Sequence, residues 1–257
     1  RTPPERRGRM INGMNRVASA LRYWERRQEV LTNNLANVNT TGFKGERVFG
    51  RLVGDALTVV DTRTDFSAGT LRPTQQPLDL ALGGEGFFVV QTPNGERLSR
   101  GGSFQLDAEG RLTDAGGNPL LAEGGPVVVP PGAKLEIDAG GAIKLGGQPA
   151  GQLRLETVPP GTRLQHDAGT HFLPDLARQP LPAEQRQVKQ GFLEESNVGT
   201  VDSLVDMISV QRAYASVQKA VTTLDGKPVG DGRPGMLFRR MHALYQEFKR
   251  EQMRPAA

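Results

Sequence analysis

Two stretches of this chain repeat apolar positions at alternating steps of three and four. The first runs through Met14, Val17, Leu21, Trp24, Gln28, Leu31, Leu35 and Val38, with Gln28 its polar member; the second runs through Met207, Val210, Tyr214, Val217, Val221 and Leu224. This is the a and d spacing of a supercoiling helix, and such a seam stays wet until another helix covers it. The spacing predicts helices over residues 10–40 and 198–225 that pack as a coiled coil, with these thirteen apolar residues as its packing core. In the polar stretch from Asn37 to Gly42, Asn and Thr side chains compete for backbone hydrogen bonds and Gly42 accepts a left-handed turn, so the first helix ends there. Asn33, Asn34 and Asn37 are candidates for hydrogen bonds that set register.

Between the two helices the period changes. From Leu78 onward Gly, Pro and Asn recur roughly every eight to twelve residues, the spacing of short antiparallel strands. Phe87 to Gln91, Pro93-Asn94-Gly95 and Arg97 to Arg100 read as strand, tight turn and strand. Phe104 to Asp107, Glu109-Gly110 and Arg111 to Thr113 repeat the device. The expected fold class is α+β: N- and C-terminal helices forming a coiled coil, and a central antiparallel all-β domain, a sandwich or irregular barrel, over residues 78–182. Residues 41–77 predict an extended connector holding at most a short strand at 56–61, and residues 183–197 a return strand or linker.

Composition removes several classes of function. The chain has 257 residues, 37% hydrophobic, enough for one good core or two small ones, and no cysteine. Disulfides, thiolate metal sites and thiol nucleophiles are therefore excluded. The sequence offers no apolar run of about 20 residues and hence no integral membrane segment. The net charge of +4 resides in the ends: four arginines against one glutamate in residues 1–9, and seven basic against three acidic residues from Lys227 onward. The body between them is net negative, and aromatics are only 5%, so nucleic acid is not an expected partner. Residues 1–9 are expected to form a disordered basic leader, with Met10 opening the patterned stretch. Residues 226–257 combine a Gly/Pro break with a basic amphipathic stripe of Leu237, Met241, Leu244 and Phe248. That stripe suits a partner-binding or membrane-surface helix, or equally the product of a shifted reading frame.

Catalytic chemistry finds little purchase. His166, Asp167 and His171 form an HDxxxH cluster with Asp175 nearby, but a spacing of five in a Gly-containing loop lacks the one-face geometry of a helical HExxH site. Glu194 and Glu195 are adjacent, which on a strand points them to opposite faces. With no GxSxG elbow, P-loop or GxGxxG, the reading is non-enzymatic, with no catalytic, metal or cofactor residues assigned. A carboxylate- or metal-dependent hydrolase and an adhesin-like or phage-fibre-like β module with coiled-coil ends stand as alternatives. In a hydrolase, replacing Glu194, Glu195 or His171 abolishes activity; in a structural subunit those changes are expected to be nearly silent.

Three segments carry a resemblance. LTNNLANVNTTGFKGE at 31–46, DLALGGEGFFVVQTPNGERLSRGGSFQLDAEGRLTDAGGNPLL at 79–121 and GFLEESNVGTVDSLVDMISVQRAYASVQKAVTTLD at 191–225 are similar, in this order, to the signature blocks of the bacterial flagellar rod and hook family. Leu98 stands where the family usually has an aromatic residue, and the Gly/Pro break at 226–235 follows where the family usually ends. The resemblance implies a structural subunit of the basal-body rod whose terminal helices polymerise into an axial drive shaft that transmits torque. It implies as partners other rod subunits and further copies of itself, with export through the flagellar type III apparatus to the periplasmic rod and no cleavable signal. Within the family the compact middle resembles the proximal-rod type more than the distal-rod type.

Overall fold

The computed structural model describes residues 4–53, 56–159, 162, 164–167, 169–175, 177–224 and 227–228; the amphipathic stripe from Leu237 to Phe248 lies outside the described residues. The chain is mostly antiparallel β, with one helix toward each end: α1 over Pro4–Ala36 and α2 over Thr200–Thr222. It divides into two compact units, one comprising residues 1–29, 49–61 and 205–257, the other residues 30–48 and 62–204.

Helix α1 begins at Pro4, not at residue 10 as the pattern predicts, because a proline in the first turn loses no intrahelical hydrogen bond and its fixed φ suits the helix. It stops at Ala36, where the Asn37 side-chain amide donates to the Asn33 carbonyl at 2.9 Å and the Thr40 hydroxyl to Asn37 Oδ1 at 3.1 Å. These side chains satisfy groups that a helix end leaves open. Helix α2 has Asp202 in its first turn and Lys219 in its last, each matched to the helix dipole. It ends at Thr222, and Thr223–Leu224 pair with Lys227–Pro228 instead. Leu224 thus lies in a short ladder beyond the end of α2, after two β-branched threonines that favour extended backbone.

The segment expected as a plain connector contains a two-stranded sheet, β1 (Glu46–Val53) with β2 (Ala56–Thr64), followed by β3 (Leu71–Pro73). Beyond it lie β4 (Leu80–Leu82), β5 (Phe87–Thr92) and β6 (Gly95–Ser99). The return segment is in the sheets too: Val188–Gln190 pairs with β4, and Phe192–Glu194 with β3.

A six-stranded antiparallel sheet organises the β domain, in the spatial order Leu164–His166, His171–Pro174, β6, β5, Leu155–Thr157, Gln179–Pro180. Side chains alternate across β5, so Phe88 and Val90 enter one apolar cluster and Phe87 and Val89 another. The larger cluster also takes Leu135, Ile137 and Ile143 from a three-stranded sheet, so two sheets share one core. The smaller one takes fully buried Leu98 and Phe172. Leu98 therefore fills an apolar role where the family usually has an aromatic. This core on both faces explains why β5 reads as an unbroken apolar run without strand alternation.

The turns of this domain reuse one device. Asp-Ala-Xaa-Gly occurs at 107–110, 114–117 and 138–141, and each aspartate Oδ1 accepts the backbone N–H groups two and four residues on at 2.8–3.0 Å. The closing glycines have φ of +75°, +77° and +86°. A carboxylate supplies the acceptor that the tight turn lacks, and glycine supplies the left-handed backbone.

Candidate functional site

The signature segments of the sequence converge on a buried junction built around Glu194. Pairing of Phe192–Glu194 with β3 turns Glu194 inward, 2% exposed, and Glu195 outward, where it meets Arg72. Glu194 Oε1 accepts Lys44 Nζ at 2.7 Å and the Gly69 N–H at 2.9 Å, while Oε2 lies 3.4 Å from Arg100 Nη1. Lys44 is fully buried and also donates to the Ser67 carbonyl at 2.7 Å. Arg100 donates to the Gly84 carbonyl at 2.9 Å and lies 5.3 Å over the Phe87 ring. Its buried Nε has no hydrogen-bond partner among the described residues.

Burial pushes Lys44 below the usual ammonium range, against the opposing pull of Glu194, and pushes Arg100 down likewise. With two cations on one carboxylate, removing Glu194 leaves two buried charges unanswered. Adjacent carboxylates on a strand face opposite ways, and the inward one is the anion of a buried cluster, so its replacement is expected to cost stability rather than to be silent.

Backbone contacts knit the same place together. The Glu194 carbonyl accepts the Gly42 N–H at 2.6 Å. Gly42 has φ +71°, and a Cβ there would sit 2.1 Å from the Arg100 carbonyl oxygen. Asn197 Oδ1 accepts the Gly45 N–H at 2.8 Å, and its amide donates to the Asp65 carbonyl at 2.6 Å. Asn34 forms a paired bond with the Glu46 backbone, donating to its carbonyl at 2.9 Å and accepting its N–H at 3.0 Å. Among the three asparagines singled out in the sequence, Asn34 is buried at this junction, Asn37 caps α1 and Asn33 is exposed.

The helical positions divide more unevenly. On α1, Leu31 is buried, and Leu21, Trp24, Gln28, Leu35 and Val38 are half-buried; on α2, Val210 is buried, and Met207, Tyr214 and Val217 are half-buried. The side chains of Met14, Val17 and Val221 lie outside the described residues. Tyr23 and Val30, absent from the heptad reading, are buried more deeply than their respective neighbours Trp24 and Leu31. The Tyr214 hydroxyl donates to Glu25 at 3.1 Å, linking α2 to α1. Val201, Leu204, Val205 and Ile208 form a second apolar stripe on α2 that stays 46–73% exposed.

The HDxxxH cluster is dispersed over three partners. His166 Nε2 lies 3.1 Å from the Lys44 carbonyl and its ring packs on Phe172; Asp167 pairs with Arg97; His171 Nε2 lies 2.7 Å from Asp114. Burial pushes the Asp114 carboxyl up, but hydrogen bonds from His171 and Asn118 outweigh it and hold it below the usual range. Among the described residues no group of three or more His, Cys, Asp or Glu is placed to hold a metal, and no helix is long and apolar enough to cross a membrane.

Sequence reasoning did not bring Lys44, Arg100, Glu194 and Asn197 together. Their signal was charge inside an apolar context, Phe43-Lys44 and Phe192-Leu193-Glu194, at two places far apart in the chain.

Comparison with known proteins accounts for that convergence. Residues 14–44 match the family described as "Flagella basal body rod protein", residues 81–145 "Flagellar hook protein FlgE/F/G D1 domain", and residues 189–226 "Flagellar basal body rod FlgEFG protein C-terminal". The flagellar basal-body rod protein FlgF of Rhizobium meliloti (strain 1021) is 32% identical over 241 residues, 84% of this chain and 99% of the relative. FlgF of Escherichia coli (strain K12) is 34% identical over 77% of this chain and 88% of its own length. The rod protein FlgG of Bacillus subtilis (strain 168) is 29% identical over 84% and 96%. With those relatives spanned almost end to end, the chain belongs to the family of bacterial flagellar basal-body rod proteins.

Proposed function

We propose that the chain is a structural, non-enzymatic subunit of the flagellar rod, with α1 and α2 pairing as a coiled coil whose remaining apolar surface is covered by neighbouring subunits. The observation that carries this is the stripe of Val201, Leu204, Val205 and Ile208 left exposed on a helix whose other side holds buried Val210. Apolar stripes on opposite sides of one helix ask for two partners. Contacts that join one surface of a subunit to a different surface of the next build open helical filaments, which suit a shaft under torque. The partners are then other rod subunits and further copies of this chain, delivered by the flagellar type III export apparatus to the periplasmic rod without a cleavable signal. Residues 10–40 and 198–225 act as the assembling ends, and residues 78–182 as a separate β domain.

The proximal-rod type is the finer reading, resting on the compact β middle. Identity does not separate the types, since FlgF relatives lie at 30–34% and FlgG relatives at 29–32%. A tagged copy expressed in its own host is expected to co-purify with hook–basal bodies. Absence from purified basal bodies despite normal export overturns the assignment.

A further inference from the structure

The three charges of the junction come from the region after α1, the β domain and the region before α2. Backbone ladders with β3 and β4 already hold the return segment on the β domain. The stretch 42–46 joins it through different means: Lys44 on Glu194, Gly42 on the Glu194 carbonyl, and Gly45 on Asn197.

We propose that Lys44, Glu194, Arg100 and Asn197 form a splice that docks residues 42–46 against residues 194–199 before the helices pair, so that helix pairing starts from this end. An ammonium or carboxylate left alone in this interior is strongly disfavoured. The docked and undocked forms are therefore separated as all-or-none states, and both segments order together.

The consequence for the helices is an increase in effective concentration. Gly45 and Asn197 are 152 residues apart in sequence yet joined by one hydrogen bond. With the return segment already held on β3, the route from the end of α1 to the start of α2 shortens about threefold, from roughly 40 residues to roughly 12, which raises their effective concentration by about sixfold. Helices that are marginal alone gain most from such a start. The splice bears on how the proposed rod subunit assembles, but it is read in the free chain and stands or falls apart from incorporation into the rod.

The test is hydrogen exchange on the dilute full-length chain, read by mass spectrometry over three segments: 42–46, 195–199 and β5–β6. Unsubstituted protein is expected to open 42–46 and 195–199 at one common rate. Lys44→Met is expected to speed exchange in both by tenfold or more with β5–β6 unchanged. Asn197→Ala, which strands no charge, is expected to speed both by a smaller and equal factor. If Lys44→Met also loosens β5–β6, the Asn197→Ala result decides. Acceleration confined to one segment, or none in either, overturns the splice.

Discussion

The junction around Glu194 and the outer side of α2 meet burial in opposite ways. At the junction Lys44, Arg100 and Glu194 are 0–6% exposed, and their neutralising and hydrogen-bonding partners come from the same chain. On α2, Val201 and Val205 remain 73% and 57% exposed. Groups whose burial demands a specific answer are matched inside the subunit, and surface whose burial is non-directional is left outward. That division suits a subunit meeting both copies of itself and related proteins. Apolar contacts tolerate small differences in neighbour geometry; a buried ion cluster does not.

The sharpest way to break this contrast is Glu194→Ala. It leaves Lys44 and Arg100 buried without an anion and is expected to cost about 3–5 kcal/mol in urea unfolding of the full chain. A loss below about 1 kcal/mol would put the junction among ordinary surface ion pairs. Leu35→Asp and Val217→Asp probe the other region. Each sets a charge at a half-buried seam position, where partnerless burial in the assembled state costs several kcal/mol. Both are expected to abolish incorporation into basal bodies while moving the β-domain urea midpoint little. Normal motility with either would remove these positions from the packing core.

The two regions were unequally legible in the sequence. A helical seam announces itself by local period, so α1, α2 and the buried positions Leu31 and Val210 were readable, although a frame through Leu21, Trp24 and Leu31 passed over Tyr23 and Val30. Short strands with Gly and Pro turns were equally visible, because turn chemistry is local. The junction was not. The pairing of Lys44 with Glu194 spans 150 residues, and nothing local to either residue names the other. Family resemblance located both segments without assigning a role to either side chain.

A third prediction separates the regions by pH. Asp65 is held below the usual carboxylate range first by the Ser67 backbone N–H, and Glu96 by a side-chain hydrogen bond from Arg154. A carboxyl whose folded pKa is depressed contributes stability that is complete above its unfolded value of about 4 and is lost as pH falls through the folded value. Stability of the β domain is therefore expected to hold from neutral pH down to about 5 and to fall below about 4, and Glu96→Gln should flatten that fall. Apolar contacts along α2 have no such dependence. A loss complete above pH 5 would overturn the carboxylate assignment.

The smallest expected effect is that of Tyr214→Phe. Its hydroxyl donates to Glu25 at 3.1 Å, the bond that most resembles junction chemistry within the helical region. The ring keeps its apolar contacts in the phenylalanine variant, and a partly exposed Glu25 regains water, so the loss should not exceed about 1 kcal/mol. One such bond changes an equilibrium by about fivefold. Recovery of the variant in purified basal bodies should fall by no more than that, with the β-domain urea midpoint unmoved. If Tyr214→Phe instead removes the subunit from basal bodies as completely as Val217→Asp, helix pairing depends on a directional polar contact in the way the junction does. The distinction between an internally matched core and a permissive apolar seam would then fail at α2.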